Sequence, residues 1–277
     1  MAEFSGHLQI RAARRTHGRT VLAAQSFRAP YHLSKPYWDT DAGVLIVQVV
    51  NPTAGILAGD RLESEISVDA DAALLVTTPS ASRVFKMNDG AAESRQQFHV
   101  ASGAWLEVIP EPLVPHRGSR YRQVTHVDVA EGGSLFFVDQ LTSGRVGHGE
   151  AWLWDRLRLE LTVHIGGELA LRERFDHSGE ELRALAELAG SGAATCFANA
   201  VLIAPDQGNG TGHPTWSAEL SALHRDGLWL GVSVLRKGGW SIKLVAPDSV
   251  ALRQGLRDAR RILARYLPRL GCDARKL

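Results

Sequence analysis

Apolar and polar residues alternate over short stretches up to about residue 175, and this pattern predicts β-strands. Residues 43 to 50 are almost all apolar, as expected of a strand buried on both faces. Residues 157 to 163 alternate Leu and Val with Arg, Glu and Thr, which predicts a half-buried strand. Residues 61–68 and 123–129 alternate less cleanly. The first two thirds of the chain are therefore predicted to be mainly β.

A weak internal repeat runs through these strands. Four segments, beginning at positions 72, 103, 133 and 167, each start with Gly or Ala and continue into a short apolar run. Their starts are almost evenly spaced, which is typical of stacked units that close their apolar faces against their neighbours. A chance succession of hairpins is the alternative interpretation.

The last hundred residues also contain helical patterns. Ser178 and Glu181 have the spacing of a capping box and predict a helix start. A short helix is predicted near 217–224. The clearest helix is predicted from Asp248 to Tyr266, where apolar residues recur every three or four positions. Strands are predicted over 228–235 and 240–246.

The predicted fold is mainly β, with stacked sheets in a solenoid-like, layered architecture and two or three helices in the C-terminal third. We expect one domain over 1–277, β-rich over 1–175 and mixed over 176–277. Three glycines between Pro205 and Thr215 predict a loop, and no Lys follows them to make a phosphate-binding loop.

Composition excludes several classes of protein. The 277 residues carry 31 Lys and Arg against 30 Asp and Glu, and a net charge of +1 argues against nucleic-acid binding. Two cysteines do not support a disulfide scaffold. No run of 18 apolar residues predicts a membrane span, and the N-terminus lacks an apolar signal segment. We therefore expect a cytoplasmic protein.

Positive charge is concentrated at the C-terminal end, where eight Lys and Arg residues follow position 250. Such a face can meet an acidic protein surface, or it can simply be solvated. On the predicted helix we expect four arginines to face solvent and to contact a partner: Arg253, Arg257, Arg260 and Arg261.

Common enzyme motifs are absent from the sequence. It contains no G-x-S-x-G, H-E-x-x-H, C-x-x-C or phosphate-loop motif, and its eleven histidines share no ligand spacing. These absences lower the expectation of a known hydrolase, kinase or dehydrogenase.

One segment is much more specific than the rest. Residues 51–62 read N-P-T-A-G-I-L-A-G-D-R-L, which resembles the N-P-x-G-G-x-x-x-G-D-x-L segment of the urease accessory protein UreD (UreH) family. Its structural residues here are Asn51, Pro52, Gly55 and Gly59, and Ala54 and Ala58 stand where the family has glycines. Such replacements matter only where φ is positive or backbones touch.

Three further segments are similar to that family in the same order. They are 75–86 (L-V-T-T-P-S-A-S-R-V-F-K), 105–112 (W-L-E-V-I-P-E-P) and 144–150 (G-R-V-G-H-G-E), the last beginning with Gly144 and Arg145. The agreement covers roughly residues 8 to 175 and is looser in the C-terminal third.

The resemblance implies a protein without catalytic turnover. Members of the family help to deliver nickel to urease, in a complex with UreF and the GTPase UreG on apo-urease. It also implies a β-rich stack of sheets and a water-filled nickel passage. Nickel would be transient cargo, and no tightly bound cofactor is expected.

The repeat suggests where polar groups could line such a passage. Six residues after each repeat start lie Thr78, Ile109, Asp139 and Glu173, and Asp139 directly follows a strongly apolar run. A carboxylate in that position must be solvated, paired or bound to a cation. We expect five metal-pathway residues. Asp139, Glu173 and Thr78 come from the repeat, and Glu150 and Asp60 come from the family-like segments 144–150 and 51–62.

Ordinary structural roles remain open for each of these residues. Asp60 could cap a turn, Glu150 could pair with Arg145, Thr78 could end a strand, and Glu173 could be a solvated charge. Two other functions also remain open for the protein. It could be a β-rich hydrolase using a carboxylate pair, or an interaction protein that never binds nickel.

Overall fold

The computed structural model describes residues 5–16, 18–188, 195–205 and 214–273. Strands hold 52% of the residues, so the prediction of a mainly β fold with stacked sheets is confirmed. The predicted loop at 205–215 falls almost entirely outside the described residues.

The described residues form twenty strands, three α-helices and two short 3-10 helices. The strands are β1 (Ser5–Arg14), β2 (Thr20–Arg28), β3 (His32–Leu33), β4 (Tyr37–Asp39), β5 (Val44–Val50), β6 (Arg61–Val68), β7 (Ala73–Thr77), β8 (Ser82–Val84), β9 (Ala92–Val100), β10 (Trp105–Ile109), β11 (Leu113–Pro115), β12 (Arg120–Val129), β13 (Ser134–Thr142), β14 (Gly144–Arg145), β15 (Glu150–Ala151), β16 (Arg156–Ile165), β17 (Glu168–His177), β18 (Cys196–Ile203), β19 (Trp229–Val234) and β20 (Trp240–Ala246). The helices are α1 (Gly179–Leu188), α2 (Thr215–Ser221) and α3 (Ser249–Ala264), with 3-10 turns at Val146–His148 and Pro268–Gly271.

Two sheets contain most of these strands, and the chain alternates between them. The seven-stranded sheet has the order β17-β16-β12-β9-β6-β1-β2, and the larger sheet has the main order β19-β20-β18-β13-β10-β7-β5-β3. From β5 to β16 each coil of chain supplies one strand to each sheet, and like strands pair in parallel. Ala73 pairs with Trp105 and Trp105 pairs with Ser134, close to the spacing of the repeat starts. The sequence period is therefore the length of one coil.

The fourth repeat segment does not join this stack, so that part of the prediction is wrong. After Gly167, residues 168–171 belong to β17, which lies in the seven-stranded sheet and runs antiparallel to β16. Gly166 and Gly167 have φ of +57° and +81° and form a two-residue turn between the paired residues Ile165 and Glu168. Two consecutive glycines at positive φ favour a tight hairpin, which reverses the chain before it can cross to the other sheet.

Three layers result from this topology. Between the two sheets lies one apolar cluster, to which β7 contributes Leu74 and Val76 and β13 contributes Leu135 and Phe137. The alternate residues of the same strands, such as Leu75, point the other way and pack with α2 and α3. The larger sheet is thus buried on both faces, which explains its continuous apolar runs.

The helix starts predicted from the sequence are confirmed. The Ser178 N–H donates to Glu181 Oε2 at 2.7 Å and the Glu181 N–H donates to Ser178 Oγ at 3.2 Å, which is a reciprocal capping box at α1. Asp248 Oδ1 caps α3 by accepting from the N–H groups of Val250 and Ala251, both at 2.8 Å. None of the helices in the described residues is long and apolar enough to span a membrane.

A buried ion pair fastens α3 to the larger sheet. Arg260 donates from Nε to Glu107 Oε1 at 2.7 Å and from Nη2 to Oε2 at 3.0 Å, and its Nη1 donates to the Cys272 carbonyl at 2.8 Å. The Glu107 side chain is fully buried and that of Arg260 is 17% exposed. Burial alone would lower the pKa of Arg260, but the adjacent Glu107 carboxylate raises it.

The expectation that Arg260 faces solvent is therefore wrong. The helical pattern placed it beside Arg261 on the polar face, but it lies at the edge of the apolar face, close enough to reach Glu107 on β10. A buried partner distant in sequence leaves no trace in the periodicity of the helix.

We expect Arg260→Met to lower the free energy of unfolding by about 3–5 kcal/mol, because it leaves Glu107 buried without its counter-ion. Met retains most of the aliphatic bulk, so the change mainly removes the charge. Urea denaturation at neutral pH measures the difference.

Arg261→Met is the matched control on the next residue. Arg261 is 72% exposed and pairs with Asp258 at 2.6 Å within the same helix, so its loss should cost less than about 1 kcal/mol. Equal effects of the two variants would show that the Glu107 pair contributes nothing special.

Candidate functional site

A cavity of about 790 Å³ lies between the two sheets. The intersheet apolar cluster borders it at Phe137, and a second apolar cluster, which includes Leu62, Leu141 and Leu182 of α1, borders it on another side. Side chains from both sheets therefore face one shared space, which is where polar residues of opposite strands can meet.

Asp139 enters the cavity from β13 of the larger sheet. It follows four buried apolar residues, and its side chain is hydrogen-bonded to that of Gln123 on β12 of the opposite sheet. Burial raises the pKa of Asp139 to about 7, the hydrogen bond with Gln123 lowers it in part, and the charge of Glu173 raises it further. This carboxyl therefore exchanges its proton near neutral pH.

Glu173 enters the same cavity from β17, on the seven-stranded sheet. Its Oε1 accepts from Lys243 Nζ at 2.6 Å, and its Oε2 accepts from Asn199 Nδ2. Two residues of the larger sheet thus hold the Glu173 carboxylate across the gap between the sheets.

Strand register explains why these partners lie side by side. Asp139 of β13 pairs with Asn199 of β18, and Asn199 pairs with Lys243 of β20. Directly paired residues point to the same face of a sheet. A carboxyl, an amide and an ammonium group consequently form a row, which we call the polar row, and Glu173 faces this row from the other sheet.

Neutral polar groups extend the opposite wall. Tyr121 Oη donates to Gln123 Oε1 at 3.2 Å, and Thr125 Oγ1 donates to Gln96 Oε1 at 3.2 Å. Burial raises the pKa of Tyr31 to about 12 and also raises that of Tyr121, so both phenols stay protonated. These side chains offer oxygen atoms without adding charge.

Thr78 lines the cavity at the end of β7. Its Oγ1 accepts from the Glu111 N–H at 2.8 Å, while the Oγ1 of Thr77 donates to the Ile109 carbonyl at 2.7 Å. Of the five predicted pathway residues, the structure thus brings together Thr78, Asp139 and Glu173.

The other two predicted pathway residues do not line this cavity. Asp60 Oδ2 accepts from the Leu57 N–H at 2.8 Å, which is the turn-capping arrangement. Glu150 lies 3.5 Å from Arg145, its partner across the β14–β15 pair. Both carboxylates are occupied by local structural contacts.

Glycines of the matching segments are required by local geometry. Gly55 has a φ of +153°, and an added Cβ would come within 2.6 Å of the Arg83 carbonyl oxygen. At Gly144, with φ +109°, a Cβ would meet the Glu150 carbonyl oxygen at 2.6 Å. Ala54 and Ala58 have no positive φ, so alanine fits where the family pattern has glycine.

The loop at 51–60 also borders the cavity. Asn51 and Gly55 are among its lining residues, and Asn51 Oδ1 accepts from the Thr53 N–H at 3.0 Å, which stabilises the turn after Pro52. The Gly59 N–H donates to the Ala91 carbonyl at 3.0 Å. The most specific sequence segment therefore shapes one boundary of the cavity.

Sequence reasoning missed three polar members of the site: Gln123, Asn199 and Lys243. A signal existed for two of them, because Asn199 interrupts an otherwise apolar strand and Lys243 interrupts one in which Ser241 is the only other polar residue. Such an interruption indicates a polar neighbour, but only the sheet register shows which one.

The arrangement suits loose contact with a cation. Among the described residues, no group of three or more His, Cys, Asp or Glu side chains is placed to hold a metal ion. Four carboxyl groups border the cavity, together with amide oxygens. Glu111 and Glu160 pair with arginines, and the other two are Asp139 and Glu173. Asn199 Oδ1 is buried and has no hydrogen-bond partner, so it can accept from water or contact a cation.

Three of the four predicted partner-binding arginines lie at the surface of α3. Arg253 is 53% exposed and lies 3.2 Å from Glu111, Arg257 is half-buried, and Arg261 is well exposed. These three arginines form a basic face on α3, to which Arg260 does not contribute.

We expect Asp139→Asn to remove a pH dependence of stability. The folded carboxyl keeps its proton up to about pH 7, whereas the unfolded one ionises near pH 4. The folded state binds more protons in this window, so wild-type stability falls as pH rises through it. Stability of the variant relative to wild type should therefore increase between about pH 5 and pH 7.5, as measured by urea denaturation.

Asp176→Asn is the control for that measurement. Burial tends to raise the pKa of Asp176, but its bonds to Arg158 and Arg156 lower it overall, so its contribution disappears only below about pH 4. Its stability difference from wild type should stay flat over the window. The same flat profile for Asp139→Asn would contradict a raised pKa at that position.

Comparison with known proteins adds independent information. The family model described as UreD urease accessory protein matches residues 5–275. The urease accessory protein UreD of Opitutus terrae is 63% identical over 275 residues, which cover 99% of this chain and all of that protein. The protein of the same name from Deinococcus radiodurans is 34% identical and covers 79% of this chain and 80% of its own length. The chain therefore belongs to the UreD family of urease accessory proteins, which take part in urease maturation.

Proposed function

We propose that this protein passes nickel through the intersheet cavity during urease maturation. The single observation that carries the proposal is the meeting of Asp139 and Glu173, from opposite sheets, in one cavity beside the unbonded Oδ1 of Asn199. The apolar run that precedes Asp139 marks this residue in the sequence alone, which adds weight to its part in the pair.

Ligand chemistry supports nickel as the cargo. Nickel(II) accepts carboxylate, amide and water oxygen ligands, although nitrogen ligands bind it more strongly. A passage must hold its ion weakly enough to release it, as in ion channels. Separate carboxylates on opposite sheets meet that requirement better than a closed cluster of ligands.

The protein acts in this proposal as a scaffold in the cytoplasm, joining UreF and the GTPase UreG to apo-urease. It carries no tightly bound cofactor and no turnover of its own. The whole chain, 1–277, works as one unit. This is supported by β18 and β20 of the C-terminal third, which extend the sheet that begins with the early strands β3 and β5.

We expect the double variant Asp139→Asn/Glu173→Gln to lower nickel per urease active site by about tenfold. Loss of even an outer partner of a metal ligand typically costs 10–100-fold in affinity or activity. Both substitutions keep the side-chain shape, so assembly with the accessory proteins and apo-urease should persist. Elemental analysis of urease activated in cells, together with pull-down of the complex, measures both quantities.

Glu150→Gln is the comparison variant, because Glu150 lies outside the cavity lining and pairs with Arg145. It should leave nickel loading near the wild-type level. Full loading by the double variant would exclude the cavity as the route and favour a purely structural interaction protein. Turnover of a glycoside by the pure protein, lost in the double variant, would instead favour a carboxylate-dependent hydrolase.

The basic face of α3 is proposed as the surface that meets an accessory partner. Reversing charge with Arg257→Glu/Arg261→Glu should slow association by about tenfold at low salt, because complementary charge mainly accelerates and orients encounter. Association kinetics with purified UreF at two salt concentrations measure this effect.

The matched control reverses two exposed arginines elsewhere, Arg28→Glu/Arg95→Glu, on β2 and β9 of the seven-stranded sheet. The net change in charge is the same. If both double variants slow association equally, only overall charge matters, and the face of α3 is not the binding surface.

A further inference from the structure

Lys243 is the charged member of the polar row, and its position calls for an explanation. It lies in β20, whose other residues are apolar except for Ser241, and its side chain is 58% exposed. The ammonium group nevertheless reaches Glu173 Oε1 at 2.6 Å rather than pointing to bulk solvent alone. The cavity therefore reaches solvent beside a lysine that is bound to one of its carboxylates, Glu173.

In the part of the chain that the structure describes, only one of the two carboxylate oxygens of Glu173 accepts a hydrogen bond from a charged side chain. Oε1 accepts from the ammonium group, and Oε2 accepts from the neutral amide of Asn199. The amide holds the carboxylate in place without neutralising it, so the lysine supplies the local positive charge. Asp139 needs no such partner when protonated, since burial raises its pKa to about 7.

A cation that enters the cavity must compete with this ammonium group. Lysine is a compact charge on a flexible stem, and an ion pair with an exposed side chain contributes at most about 1 kcal/mol. The Lys243–Glu173 contact can therefore be broken by a divalent ion and formed again after the ion leaves. Asn199 stays bonded to Glu173 through the exchange, and its unbonded Oδ1 is available beside the carboxylate.

We propose that Lys243 is a resident counter-ion of the cavity, which neutralises Glu173 in the metal-free protein and is displaced when a divalent cation binds. The proposal rests on the proposed passage of nickel and adds a residue that sets how weakly the cation is held. By competing for one carboxylate, Lys243 lowers the affinity for the ion and speeds its release.

The test measures binding of Ni²⁺ to the purified full-length protein by equilibrium dialysis at neutral pH. Lys243→Met removes the competing charge and should tighten binding by about fivefold, the factor that corresponds to the upper end for an exposed ion pair. Lys243→Arg keeps the charge and should bind Ni²⁺ as the wild type does.

Lys237→Met is the matched control. Lys237 lies just before the same strand and pairs with Glu168, away from the residues that line the cavity. Lys237→Met removes the same charge from the protein as Lys243→Met does. If both variants bind Ni²⁺ more tightly by the same factor, the change in net charge explains the effect and the proposal is overturned.

A second variant separates the two proposals. If Glu173→Gln weakens Ni²⁺ binding while Lys243→Met binds as the wild type does, the counter-ion role is wrong and the passage stands. If Glu173→Gln and Asp139→Asn both bind as the wild type does, the cavity takes up no nickel and both proposals fail. Tightening by Lys243→Met, lost again in Lys243→Met/Glu173→Gln, is the result expected.

Discussion

From β5 to β16 every coil of chain supplies one strand to each of two facing sheets, because the apolar surface of one sheet can be covered only by the other. Leu74 and Leu135 cover the gap from one side and Ile66 and Phe98 from the other. Where the apolar residues stop, the sheets still face each other across the same gap. Polar side chains from both walls then share a space that is shielded from bulk water.

Burial of a carboxyl group away from water has two different electrostatic outcomes in this molecule. On the helix side of the larger sheet, Glu107 is buried with Arg260, and bidentate hydrogen bonds compensate the loss of hydration. On the cavity side, burial raises the pKa of Asp139 to about 7, because the hydrogen bond with neutral Gln123 lowers it only in part and the charge of Glu173 raises it further. The first arrangement fastens two layers, whereas the second leaves a group that is able to exchange its ligand.

Much of the fold could be predicted from local sequence patterns. The regular spacing of the repeat starts, the capping box at Ser178 and the apolar seam of α3 can each be read from the sequence, and all three appear in the structure. The reversal at Gly166 was missed because a glycine pair also fits a turn between coils. Because of this reversal, Glu173 lies in the seven-stranded sheet and not in the larger one. It therefore lines the cavity from the wall opposite Asp139.

The site was less accessible to sequence reasoning than the fold. Asp139 could be found because it ends a strongly apolar run, and that signal is local. Asn199 and Lys243 join it only through pairings with strands that lie far along the chain, and Arg260 finds Glu107 at a separation of 153 residues. Contacts between residues so far apart in the chain depend on the strand order, which cannot be predicted from a short segment of sequence.

Two neighbouring residues of strand β10 belong to the buried ion pair and to the cavity wall, respectively. Glu107 points to the helix layer and binds Arg260, while the next residue, Val108, points the other way and forms part of the cavity wall. No loop lies between α3 and the wall, because the helix and the cavity contact opposite faces of the same strand. The outer helix layer and the intersheet space thus share one strand through the alternation of its side chains.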